Sequence, residues 1–138
     1  MEVFNLHILT ATKTFYEGKC ESIVIPTPEG RYGIQANHQD MMAAIIPGKL
    51  ELTIPGEKKK KIAAISTGVA IVEDNDVQIL SESAEWPEEI DIVRAEQAAK
   101  EAEEELKNDT SSRQILSAEA KIARALNRLR IKKEFGDK

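Results

Sequence analysis

The sequence has very little with which to build an extracellular or membrane protein. One cysteine, Cys20, stands alone in 138 residues, so no intramolecular disulfide can form and nothing points to an oxidising compartment. Apolar runs reach only about six residues, against the roughly 20 that a membrane helix needs. The N-terminal MEVFNLHILT has an acid at Glu2, no basic segment and no small-residue cleavage site, so it does not read as a signal peptide. Two histidines and one cysteine are poor material for a zinc site, and no metal is expected. Aromatics are 4% of the chain, few for stacking on bases. The net charge of −5 opposes a generic nucleic-acid binder, which needs clustered cations. No G-x-x-x-x-G-K-[ST] loop occurs, and no general base stands beside a nucleophile, which excludes the common hydrolase patterns. The expectation is a soluble, intracellular protein of one or two small domains.

Glycine and proline are absent from most of the C-terminal third, and that divides the chain. All five prolines and six of the seven glycines fall within residues 1–87, leaving only Gly136 beyond. Turn-formers in the first part predict short strands, and their loss predicts uninterrupted helix. Phe4–Ile8 and Leu50–Ile54 alternate apolar and polar residues, the period of a half-buried strand. Glu21–Ile25, Ile62–Ile65, Val69–Val72 and Val77–Leu80 are further strand candidates, the last two flanking a polar hairpin tip at Glu73–Asp76. Short strands at this spacing suggest a sandwich or flattened barrel, and the lack of helix-length runs argues against a βαβ sheet. Lys58–Lys61, after the Pro55-Gly56 turn, reads as a solvated edge or hairpin.

Residues 91–138 predict two helices. Asp91 is placed to cap the first, the polar stretch Asn108–Ser112 breaks the pattern, and the second runs from about Arg113 to about Lys133. The alanine-rich, narrow apolar stripes suit a close αα-hairpin that holds only weakly by itself. Residues 91–109 carry net −4 and residues 110–138 net +5. Antiparallel packing of the two is favourable, although exposed pairs contribute only about 0–1 kcal/mol each. The domain reading is 1–84 β, 85–90 linker and 91–138 helical hairpin.

Ordered along the chain are Glu29-Gly30-Arg31-Tyr32-Gly33-Ile34, Asn37-His38, Ile46-Pro47-Gly48, Ser66-Thr67-Gly68, Ile90-Asp91-Ile92-Val93-Arg94-Ala95 and Arg124-Ala125-Leu126-Asn127-Arg128-Leu129. In this order and spacing the chain resembles the epsilon subunit of bacterial F-type ATP synthases over essentially its whole length. The resemblance implies a ten-stranded β-sandwich followed by an antiparallel two-helix hairpin. It implies a non-catalytic subunit of the central stalk that joins the gamma subunit to the c-ring during proton-driven ATP synthesis. Such a subunit is peripheral to the cell membrane, on its cytoplasmic side, and requires no cofactor. The hairpin of this family moves between a folded form and an extended form that reaches the catalytic beta (and alpha) subunits and restrains ATP hydrolysis.

The same resemblance assigns residues. Glu29, Arg31 and His38 become c-ring interface residues, although alone the segment reads as a hairpin turn; an acid often occupies the position of Arg31. Glu85, Ile90, Asp91, Arg94, Ala95, Arg124 and Arg128 match a regulatory ATP site. A carboxylate can accept from the adenine amino group, and arginines four apart on a helix can converge on phosphates. Glu101 stands where ATP-binding members have a basic residue, so weaker binding is expected. Arg124, Arg128, Arg130, Lys132 and Lys133 form the inhibitory basic face; without the family context they are a solvated helix end. The alternative within the family is a stalk subunit whose hairpin stays folded and binds no ATP.

Overall fold

A computed structural model describes residues 2–108 and 111–136. Asp109 and Thr110 of the expected interhelical break, and Asp137 and Lys138 of the basic tail, lie outside the described residues. The chain divides into two compact units, Met1–Glu85 and Trp86–Lys138.

Among the described residues the first unit holds ten strands in two five-stranded sheets. They are β1 (Phe4–Thr10), β2 (Thr14–Cys20), β3 (Ser22–Thr27), β4 (Gly30–Gln35), β5 (Met41–Ile45), β6 (Gly48–Thr53), β7 (Lys61–Ile65), β8 (Gly68–Glu73), β9 (Asp76–Ser81) and β10 (Ala84–Glu85). One sheet runs β2-β1-β9-β8-β5 and the other β10-β7-β6-β3-β4. Phe4, Leu6 and Ile8 alternate inward from β1, beside Val77 and Ile79 of β9. The second sheet supplies Ile23, Ile25, Ile34, Leu50, Leu52 and Ile65, all essentially inaccessible to water. Each such aliphatic side chain contributes about 1.5–3 kcal/mol on burial, which is how 85 residues with few aromatics hold a core. Cys20 belongs to that core. Burial pushes its thiol up to about 11, and it donates to the carbonyl oxygens of Ser22 and Thr53, so it is a packing residue.

Among the described residues seven of the eight strand pairings are antiparallel, but β1 and β9 pair in parallel with no helix between them. The N-terminal strand is inserted between its hairpin partner β2 and the late strand β9. The β8–β9 turn makes this possible. Asp74 and Asn75 have φ of 53° and 60°, the left-handed conformation that a two-residue hairpin loop demands and that Asn and Asp tolerate best. Asn75 then ties three segments. Its backbone carbonyl accepts from Asn5 N–H at 3.2 Å, its Nδ2 donates to Val3 O at 3.0 Å, and its Oδ1 accepts from Asn37 N–H at 2.7 Å. Asp40 Oδ1 accepts from Asp74 N–H at 3.1 Å, fixing the crossover from β4 to β5 against the same turn.

The second unit opens with a 3-10 turn at Pro87–Glu89, so the stretch read as linker holds this turn and the last residue of β10. Trp86 N–H donates to Glu89 Oε1 across it. Helices α1 (Ile92–Asn108) and α2 (Ser112–Phe135) follow. Ala95, Ala99 and Ala102 form the buried stripe of α1, at the i, i+4, i+7 spacing of one helix face. On α2 the buried residues are Ala118, Ala125, Asn127 and Ile131. Leu116 and Leu126 are exposed, while the buried positions 118 and 125 are held by alanines, small enough to let the helices approach closely. Lys121 reaches Glu105 at 3.3 Å, one realised contact between the basic and acidic helices.

Replacing Asn75 with Ala should lower stability by about 2–3 kcal/mol, from two lost side-chain hydrogen bonds and an unfavourable left-handed residue. Asn75→Gly should recover only the backbone part; the urea midpoints of the three proteins measure both contributions.

Candidate functional site

The residues expected at the c-ring interface occupy the turn and strand at one edge of the second sheet. Glu29 lies in the exposed β3–β4 turn, where its backbone N–H donates to Thr27 Oγ1 at 3.2 Å. Arg31 is on β4, but its guanidinium lies across the sheet. Nη1 donates to Lys49 O at 3.0 Å, and Nη2 sits 3.5 Å from Glu51 Oε2, while Lys49 Nζ lies 3.2 Å from the other oxygen, Glu51 Oε1. His38 comes beside β4 as well: Tyr32 Oη lies 2.7 Å from His38 Nε2, with the rings edge to face at 5.6 Å. His38 Nδ1 is 2.8 Å from Gln39 O. A carbonyl can only accept, so Nδ1 carries the proton, and in the neutral ring Nε2 accepts from the tyrosine hydroxyl. Tyr32 was not among the expected site residues; its spacing from His38 in sequence carries no signal that they meet.

The expected nucleotide residues fall in both units. Glu85 ends β10 in the first, and all the others lie in the second. Asp91 Oδ1 accepts from Arg94 N–H at 3.1 Å, and Ala95 N–H bonds to Asp91 O, so Asp91 caps α1 as its position predicts. Ile90 and Ala95 are buried, which makes them packing residues, whereas Asp91 and Arg94 are exposed. Arg124 and Arg128 are half-buried on successive turns of α2. The helices meet with Lys121 near Glu105 and with Leu129 in a shallow cleft beside Val93, Glu96 and Ala99. This register places Arg128 level with the second turn of α1 and Arg124 level with the third. Glu101 is two turns beyond Arg94 on the same face, roughly 10 Å along the axis. It accepts from Gln97 Nε2 at 3.4 Å and lies at the level of Arg124. Arg130 and Lys133 are exposed near the end of α2, with Lys132 half-buried between them.

The sequence pattern also gave no warning of an apolar outer face on the first sheet. Across the strands, Leu9 pairs with Leu80, Leu80 with Val69 and Val69 with Ala44, while Ile71 pairs with Met42 in the adjoining row. Leu9, Leu80 and Met42 are exposed, Met42 by 70%. Such contiguous apolar surface marks an interaction site. Read strand by strand these are isolated leucines and a methionine; only the register aligns them.

Residues 3–87 match the family model described as ATP synthase, Delta/Epsilon chain, beta-sandwich domain, and residues 88–133 match its long alpha-helix domain. The chain belongs to the ATP synthase delta/epsilon family. Within that family it is of the epsilon type. It is 41% identical over 135 residues to an ATP synthase epsilon chain of Caldanaerobacter subterraneus, covering 97% of this chain and 96% of that one. An epsilon chain of Clostridium novyi is 42% identical over 129 residues, 93% of this chain and 96% of the relative. Among solved structures, a chain of the Euglena gracilis mitochondrial ATP synthase OSCP/F1/c-ring assembly superimposes with a TM-score of 0.71 at 27% identity. That match covers 88% of this chain and 76% of the other. A chain of the Tetrahymena thermophila central stalk/c-ring structure has the same fold, with a TM-score of 0.71 at 18% identity, covering 93% and 95%.

Replacing Asp91 with Ala should cost α1 about 1 kcal/mol of N-terminal capping, whereas Asp91→Ser should retain most of it. Far-UV circular dichroism through thermal unfolding distinguishes the two.

Proposed function

We propose that the protein is a non-catalytic rotor subunit that joins gamma to the c-ring in the central stalk of an ATP synthase. The observation that carries this reading is the match of both family domains, in order, across residues 3–133. The apolar row Leu9, Leu80, Val69 and Ala44 is the surface offered to gamma. The edge that bears Glu29, Arg31 and His38 is offered to the polar loops of the c-ring. Arg31 presents a guanidinium already engaged by Glu51 and Lys49 O, so it meets the ring as part of a paired cluster that keeps one net positive charge, and not as an isolated cation. The chain's own groups support a role without chemistry. Cys20 is buried as a thiol, and His7 lies between Glu17 Oε1 at 3.3 Å and Asp76 Oδ1 at 3.2 Å. Attachment to the membrane is peripheral, through the complex; among the described residues no helix is long and apolar enough to cross it.

The hairpin is the regulatory element. An alanine seam buries little area per residue, so the packed form is held by small increments, and an extended form is within reach. Extended, the Arg124, Arg128, Arg130, Lys132 and Lys133 face meets acidic surface on the catalytic beta subunits and restrains hydrolysis. ATP, held by Asp91, Arg94, Arg124 and Arg128, binds the packed form and stabilises it by mass action. Glu101 on the Arg94 face weakens that binding by repelling the phosphates.

Titration calorimetry of the full chain with millimolar ATP should give a saturable heat that Arg124→Ala abolishes. No heat from either protein would remove the nucleotide from this account and leave the stalk role intact. In the reconstituted complex, Arg130→Ala/Lys132→Ala/Lys133→Ala should raise the ATP hydrolysis rate; an unchanged rate would mean that the hairpin stays folded.

A further inference from the structure

The four edges of the two sheets are protected very unequally against pairing with another chain. A strand edge exposes unpaired N–H and C=O groups, and charge, irregularity or shortness keeps other strands away. β2 carries Glu17 and Lys19, and its pairing with β1 shifts register between Ile8 and Leu9. β4 carries Arg31 and two glycines, and β10 is two residues long and ends in Glu85. β5 has none of these features. Met41-Met42-Ala43-Ala44-Ile45 is uncharged, contains no Gly or Pro, and among the described residues pairs with β8 on one side only. Just past its end, Ile46 N–H donates to Pro26 O at 3.1 Å, so the open stretch is limited to β5 itself.

The surroundings of this edge specify what would cover it. Outward-facing Met42 and Ala44 extend the apolar row that crosses Ile71, Val69 and Leu80. At the start of β5 the surface becomes acidic, with Asp40, Glu73 and Asp74 exposed. A depression of about 230 Å³, lined by Ile71, Glu73, Asp74, Asp76 and Gln78, adjoins Met42 through its cross-strand neighbour Ile71.

We propose that β5 is a docking edge for an extended segment of a protein partner, which adds antiparallel to Met41–Ile45 by main-chain hydrogen bonds. Alternate apolar side chains of that segment lie beside Met42 and Ala44. Antiparallel addition brings its C-terminal end to Met41, so a cationic residue following the apolar run meets Asp40, Glu73 and Asp74. Backbone pairing supplies affinity, and the charge sets orientation. The edge adjoins the face assigned to gamma, but the inference stands on the open backbone of β5 and the acidic residues at its start.

The test uses the full-length protein and a fluorescent peptide of alternating valine and threonine that ends in two lysines, followed by anisotropy. Saturable binding is expected, about tenfold weaker when alternate peptide amides are N-methylated, and about tenfold weaker for Met42→Lys. Placing the lysines first, or Glu73→Gln in the protein, should weaken it by a smaller factor. Both substitutions are at exposed positions and leave the core intact. Absence of saturable binding, or equal binding of the N-methylated peptide, would overturn the proposal. So would a dimer of the free protein that Met42→Lys dissolves, because the edge would then belong to a second copy. The peptide contains no gamma sequence, so its failure leaves the stalk reading standing.

Discussion

Asn75 holds the sandwich in the topology that every other feature requires. A two-residue turn with both residues left-handed brings β8 back as β9, and the side chain at its tip bonds to the N-terminal segment and to the β4–β5 crossover. Without that junction, β1 has no reason to lie parallel to β9, since no helical connection imposes it. With it, Leu6 and Ile8 stack against Val77 and Ile79 on the inner face, and Leu9 meets Leu80 on the outer one. The same turn therefore positions both the core and the apolar surface that a partner would cover.

The two units solve different problems with different materials. In the sandwich, branched aliphatic residues from two sheets fill a core, and backbone bonding is completed across strands. The hairpin packs alanines against alanines and relies on caps at Asp91 and Ser111 to start its helices. Small side chains bring helix backbones close but bury little apolar area, which leaves such a unit with a shallow energy minimum. Asn127 is a buried polar residue on α2, near buried positions held by alanine and isoleucine. The sandwich and the hairpin therefore differ in how deep a minimum holds each of them.

The candidate sites differ in how far the residues alone announced them. Asp91 as a helix cap follows from its place before a periodic run, and the structure supplies the expected bond to Arg94 N–H. The pairing of Arg124 with Arg128 follows from helical spacing. Arg31 is another matter: sequence gives its charge but not that Glu51 and the carbonyl of Lys49 already engage it. Tyr32 and His38 meet because the chain folds back along β4 after Gln35, a path no local pattern encodes.

Six strands are readable in the sequence, and they are the six in the interior of the two sheets: β1, β3, β6, β7, β8 and β9. An interior strand has neighbours on both sides and one face in the core, so its residues must alternate or be β-branched, and that demand leaves a periodic mark. The four edges escaped local reading because an edge strand needs only one partner. β2 is largely polar, β4 is broken by glycines, β5 is methionine and alanine, and β10 is too short for any period. The resemblance to a known family supplied their number, but their order came from the fold. The sequence by itself determined the division of the chain, the helix caps and the opposed charges of the two helices, because each depends on neighbours within a few residues. Tertiary structure alone decided the parallel β1–β9 pairing, the edge strands and the alignment of Leu9, Leu80 and Met42 on one face, because these depend on register between segments up to 70 or so residues apart.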